Sequence, residues 1–357
     1  MTATDPGRAA ATSTGTRLAG LAGRLFGGGG PTVFALLIVI FALIFVMNPS
    51  FAEPPSLMAF LKAAAPLVVL AVGQYFVIVC GELDLSVGSL VGAQVVIAAA
   101  LIDGEESRTV PVLLVMLAFG ALVGLVNGLI TTLLKVHSLI TTLGMMLVLY
   151  GAIRLWTGGS PKGALSEAFR TAGRGGIDMP VVRQLPWALI ILVAVVVLAI
   201  VVMRSSYGRT LVATGDNDQA AMFAGVRVWQ VRTSAFVLSS LMATLAGVLI
   251  GGFAGVTAQV GQGLEFTAIT AVVLGGVVLG GGRGTVVAAM AGALTIQALF
   301  TLFNQMALPS TIRPAVQGVI IIAAVAYAAR ERAGPGAQDH APAAPPDQNP
   351  DREPAAT

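Results

Sequence analysis

Charge is what this chain has least of. Asp, Glu, Lys and Arg make up 10% of 357 residues, hydrophobic residues make up 56%, and the mean hydropathy is +0.88. A soluble domain carries about 25% charged residues. The shortfall excludes an ordinary soluble globular protein and leaves a chain that mostly faces lipid or other membrane helices. One cysteine, Cys80, excludes an intrachain disulfide. Two histidines, His137 and His340, are too few to build a metal cage, so no metal site is expected. The positive charges are scattered between apolar runs and form no basic face, which argues against nucleic acid as a partner. No Gly-x-x-x-x-Gly-Lys-Ser/Thr pattern occurs, and no nucleophile–base pair or cofactor fingerprint is visible. The chain reads as neither a catalyst nor a cofactor carrier, and any ATP hydrolysis that serves it belongs to another polypeptide.

Long apolar runs are what it has instead. A hydrocarbon core of about 30 Å needs roughly 20 helical residues. About ten runs approach that length: 32–47, 63–80, 87–102, 110–134, 138–156, 187–203, 234–255, 266–280, 285–303 and 314–329. The expected fold is an all-α polytopic membrane protein. The first run ends without a small-x-small cleavage site and reads as an uncleaved helix. Arg8, Arg17 and Arg24 precede it, whereas Lys62 alone separates it from the second run, which puts the amino terminus inside. An even number of spans puts the carboxyl terminus inside too. Residues 1–30 and 331–357 read as disordered cytoplasmic tails around a membrane domain, 31–330. Glycines recur at four-residue spacing, as in Gly88/Gly92, Gly120/Gly124/Gly128, Gly247/Gly251 and Gly276/Gly280, which lets membrane helices approach closely. A faint repeat relates Cys80–Gly88 to Gly280–Thr285.

Two polar interruptions stand out. Gly81-Glu82-Leu83-Asp84-Leu85-Ser86-Val87-Gly88-Ser89 sets two carboxylates between uncharged apolar runs. A charge at bilayer depth costs roughly 2.5–3.5 kcal/mol on insertion scales, so the segment is either a surface turn or a broken polar element inside the protein. Alternation puts it near the inner ends of the second and third spans. The other interruption, 204–233, is the long polar stretch on the inner side. Asp216 or Asn217 can cap a short helix with Asp218 and Gln219 in its first turn, and Gly225 stops it. Such a helix offers Ala220, Ala221, Met222 and Phe223 as an apolar face, either for a partner or as part of a plain surface turn.

These residues carry a resemblance. Gln219-Ala220-Ala221 followed by Gly225 resembles the Glu-Ala-Ala-x-x-x-Gly loop of ATP-binding-cassette importer permeases. The Gly81–Ser89 segment is similar to the Gly-Gly-Ile-Asp-Leu-Ser-Val-Gly-Ser signature of the ribose-type sugar permeases. Asn127-Gly128-Leu129, Thr141-Thr142-Leu143-Gly144, Gly208-Arg209 with Ala213-Thr214-Gly215, and Gly275-Gly276 with Gly281–Thr285 match further landmarks in order. The resemblance spans roughly residues 60–328. It departs at Glu82, where the family has an apolar or small residue, and at Gln219, which replaces a Glu.

The resemblance implies the inner-membrane permease subunit of a bacterial importer for a monosaccharide such as ribose, with a type II importer bundle. It implies an ABC ATPase subunit, an extracytoplasmic solute-binding protein and a second permease copy, identical or related, as partners within membrane lipid. Asp216, Gln219, Ala220, Ala221, Phe223 and Gly225 would meet the ATPase. Glu82, Asp84, Ser86, Asn127, Thr141 and Asn304 are the candidates for the solute pathway, and Arg170, Arg174 and Arg183 for docking the binding protein. Each has a plainer alternative. Asp84 can cap the helix that follows it. The amides of Gln74, Gln94, Gln297 and Gln317, like Asn127 and Asn304, can tie helices together. The segment 157–185 can be a solvated loop. A different class, an ion-coupled carrier using Glu82 and Asp84, would leave the docking-like loop unexplained.

Overall fold

The computed structural model describes residues 30–332 except 161, 181, 182 and 258; both tails, including His340, lie outside the described residues. The order is α1 (Gly30–Met47), α2 (Pro54–Val79), α3 (Val87–Ile102), α4 (Thr109–Leu133), α5 (Ser138–Thr157), α6 (Glu167–Arg174), β1 (Gly176–Met179), β2 (Arg183–Pro186), α7 (Trp187–Arg204), α8 (Ser206–Asp216), α9 (Asp218–Phe223), α10 (Val228–Ala254), α11 (Leu264–Leu274), α12 (Val286–Gln305) and α13 (Ile312–Arg332). Among the described residues six helices are long and apolar enough to cross a membrane: α2, α4 with the short turn before it, α5, α7, α10 and α12. The apolar helices α1, α3, α11 and α13 fall short of that measure.

Three expectations change. The second run begins at Pro54, not Ala63, because prolines at the first helical positions need no donor and preset φ. The run expected over 266–280 stops at Leu274, where Gly275 and the positive-φ Gly276 turn the chain. The fold is not purely helical. Within 157–185, Ser166 Oγ accepts from Phe169 N at 3.2 Å to start α6, with Glu167 in its first turn and Arg174 in its last. The antiparallel hairpin β1–β2 then pairs Gly176 with Pro186 and Met179 with Arg183.

Helix α10 is the hub, packed against α2, α3, α4 and α6. Glycine makes the approach possible. A Cβ on Gly124 of α4 would lie 2.6 Å from Phe236 O, and one on Gly128 2.7 Å from Thr233 Cα. Lipid tails are as apolar as Leu, so close backbone packing and buried hydrogen bonds, not burial from water, hold such a bundle together.

Candidate functional site

The Gly81–Ser89 turn is buried within the bundle. Asp84 has no exposed surface. Its Oδ1 accepts from Ser86 N at 2.9 Å and Ser86 Oγ at 2.6 Å, and its Oδ2 accepts from Ser239 Oγ of α10 at 3.0 Å. Asn127 of α4 donates to Ser86 Oγ at 2.9 Å. Helix α5 supplies two acceptors: Ser138 Oγ takes Leu83 N at 3.2 Å, and Thr142 Oγ1 takes Leu85 N at 3.1 Å. Side chains of α5 therefore satisfy a non-helical backbone that lipid could not, while those of α4 and α10 hold the turn's own side chains. The depth follows from helix rise. Asn127 lies six residues, about 9 Å, from the end of α4, and Ser239 lies eleven, about 16 Å, from the start of α10. Leu83 lies level with Ser138, the first residue of α5, so the turn slants inward from one end of the bundle towards Asn127 and Ser239.

At its near end the turn meets a junction without side chains. Gly282 N donates to the Val79 carbonyl at 2.8 Å. A Cβ on Gly215 would overlap that same carbonyl, and one on Gly281 would lie 2.7 Å from Gly81 N and 2.8 Å from Gly215 O. One on Gly282 would lie 2.6 Å from Asp216 Cα. The two halves of the faint repeat, at Gly81 and Gly281, are in contact here.

The two carboxylates of the turn do different things. Glu82, 9% exposed, faces Arg232 in the first turns of α10, with Oε1 3.2 Å from Nε. The Nε–H is not aimed along that line, so the contact is ionic and not a directed hydrogen bond. The Arg232 guanidinium also donates to Asp218 Oδ2 of α9 at 3.3 Å. A chain of three charges thus runs from the buried turn to the short surface helix.

That helix forms as its sequence dictates. The Asn217 side chain, not Asp216, is the cap, accepting from Ala220 N at 2.9 Å. Gly225, at φ +83°, ends it. Ala221 turns inward. Gln219, Ala220, Met222 and Phe223 are exposed, Phe223 to 93%. Met222 and Phe223 thus stand side by side as an exposed apolar pair on a polar segment.

The remaining candidates lie apart. Thr141 is buried on α5 and bonds weakly within its own helix, to His137 O at 3.4 Å. Asn304 is exposed and accepts from Arg313 at 2.7 Å. Arg174 donates to Glu167 Oε1 at 2.7 Å, and this partner holds the Glu167 carboxyl below its usual range. Arg170 is half-buried on α6, and Arg183 begins β2. Gln94 and Gln317 do tie helices, through Met116 O with Thr244 Oγ1 and through Thr267 Oγ1, each at 2.8 Å. Gln74 does not: it is buried with neither amide atom bonded.

One buried acid escapes the sequence reading. Glu265, in the first turn of α11, is 3% exposed. It opens an apolar run, so it reads as an interfacial residue. Its neighbours, Gly88 and Gly261, sit on other segments and give no local signal.

The chain belongs to a transporter family. Residues 56–325 match the family described as branched-chain amino acid transport system, permease component. Over 301 residues it is 32% identical to the ribose import permease protein RbsC of Bacillus subtilis (strain 168), covering 82% of this chain and 90% of that one. Over 303 residues it is 32% identical to the autoinducer 2 import system permease protein LsrC of Enterobacter sp. (strain 638), covering 84% and 87%. The LsrC of Escherichia coli (strain K12 / DH10B) is 30% identical over 305 residues, with the same coverage. No solved structure matches. The protein is therefore a transport permease component and not an enzyme, and a multi-pass protein of the bacterial inner membrane.

Proposed function

We propose that the chain is the membrane-spanning subunit of an ATP-binding-cassette importer for a monosaccharide-like solute. The observation that carries the proposal is the exposed α9 knob, Gln219–Phe223, tied through Asp218, Arg232 and Glu82 to the buried turn. A separate ATPase docks on Asp216, Gln219, Ala220, Phe223 and Gly225, while the inward-facing Ala221 seats the helix on the bundle. Its opening and closing reaches the pathway through the charge chain and the glycine junction. All ten apolar helices, the short ones included, span or enter the bilayer, with α8, α9 and both termini cytoplasmic. Two copies, identical or related, form the pathway between them. The α6–hairpin end faces a solute-binding protein, which Arg170 and Arg183 engage; Arg174 already has Glu167.

The family match supports this reading over an ion-coupled carrier, and so does the pairing of both carboxylates once assigned to ions. Glu82 is neutralised by Arg232, and Asp84 is enclosed by hydroxyl and amide donors. In this reading Asp84, Ser86 and Asn127 brace the pathway wall, while Thr141 and Asn304 stand nearer the second copy.

Proteoliposomes containing the permease, its ATPase and its binding protein test the proposal with radiolabelled D-ribose. Uptake should require ATP on the α9 side and persist when ion gradients are collapsed. Uptake that follows a proton gradient without ATP contradicts it.

A further inference from the structure

Glu265 lies where the bundle departs most from simple spans. Helix α10 ends at Ala254 near α6: a Cβ on Gly252 would lie 2.7 Å from Gly173 Cα. The last turn of α3 lies at that same end, since a Cβ on Gly163 would lie 3.0 Å from Ala100 Cα. The chain then turns back along α3. A Cβ on Gly92 would lie 2.5 Å from Val260 O, and one on Gly261 2.9 Å from Gly92 N. Gly88, at the bottom of this descent, is eleven residues from Ala99, about 16 Å down the helix. Irregular backbone therefore runs the length of α3, deep into the bundle, before α11 begins. Such backbone is tolerated only within protein or along water.

Two observations indicate which. First, Thr257, Gln259 and Gln262 on this segment are exposed. Amides directed into lipid at this depth are unfavourable. Second, Glu265 is buried beneath them with one oxygen unused. Oε1 accepts from Gly263 N at 3.2 Å, whereas Oε2 has no hydrogen-bond partner. Oε2 lies on Gly88, where a Cβ would overlap it. The Tyr150 hydroxyl, also without a partner, is within electrostatic reach of this carboxylate. A carboxylate oxygen and a hydroxyl, both unbonded and buried behind exposed amides, suit a ligand that brings its own hydroxyls.

We infer that Gln259, Gln262 and Glu265 form a solute-contact site on the aqueous pathway, where the free Glu265 oxygen accepts a hydrogen bond from a polyhydroxylated solute. The assignment rests on the permease reading above and names the face that touches the cargo.

Thiol labelling tests it. In a Cys80→Ser background, Gln262→Cys and Glu265→Cys are introduced singly into the full chain, assembled with its ATPase in membrane vesicles. A negatively charged, membrane-impermeant methanethiosulfonate is the probe, and Ser240→Cys, at a position buried in α10, is the control. Both site positions should react at least about ten-fold faster than the control in one nucleotide state, and D-ribose should slow Glu265→Cys. Rates no faster than the control, with and without ATP, overturn the site: the face is then covered by lipid or by a second copy. Glu265→Gln should lower D-ribose uptake about ten-fold while leaving the melting temperature unchanged; unchanged uptake also overturns it. If the wild type carries no D-ribose, the monosaccharide reading fails by itself, and the labelling rates still decide the site.

Discussion

Asp84 and Glu265 are acidic side chains buried at similar depth in one bundle, and they are held in opposite ways. Asp84 receives donors on both oxygens from two segments of chain, and Asn127 extends the network to a third. Glu265 satisfies one oxygen at its own helix start and leaves the other open over a glycine. A polar group bonded to its full capacity fixes geometry, whereas a buried one left short must gain a partner elsewhere or lose stability. The comparison separates a brace from a contact, two roles that a list of intramembrane carboxylates would merge.

The largest expected effect breaks the brace. Asp84→Ala leaves three buried donors without their acceptor, a loss on the order of 3 kcal/mol or more. Purified protein should melt several degrees below the wild type, and little of it should reach the membrane. Melting within a degree of the wild type would make Asp84 a contact like Glu265. A smaller effect sharpens the other side. Gly88→Ala drives a methyl group into the Glu265 carboxylate and to 2.6 Å from Gly261 O. Overpacking of this kind costs about 1–3 kcal/mol. Adding Glu265→Ala should restore part of the lost melting temperature but not all, because the Gly261 carbonyl stays. Full additivity of the two changes would show that the carboxylate does not rest on Gly88.

Much of this was legible in the chain. Each apolar run holds a helix, and six of these helices are long and apolar enough to cross a membrane, because length and hydropathy are read directly from sequence. The cap at residues 216–217 and the stop at Gly225 read correctly, because capping is local chemistry. Three features were not legible. The turn's inward slant was hidden because it is set by Asn127 and Ser239, on helices far along the chain. The α6–hairpin unit was hidden because a polar segment between spans gives no tertiary signal; Phe169 finds its burial against distant residues such as Ile102 of α3, Met116 of α4 and Gly251 of α10. Glu82, an anomaly in sequence, needed Arg232 on a distant helix to become one link in a charge chain.

That chain carries the central claim, that the docking helix and the buried turn move as one piece. Partly exposed ion pairs contribute only about 0–1 kcal/mol to stability, so its value lies in coupling, which transport per ATP hydrolysed reads out. In proteoliposomes with the partner ATPase and binding protein, Glu82→Arg and Arg232→Glu should each lower solute moved per ATP by about ten-fold (about 1.4 kcal/mol of coupling). The double exchange should recover part of it, since it restores the contact between positions 82 and 232 but sets two acids at positions 232 and 218. Single variants that transport as the wild type does, or a double variant no better than the worse single, would contradict the claim.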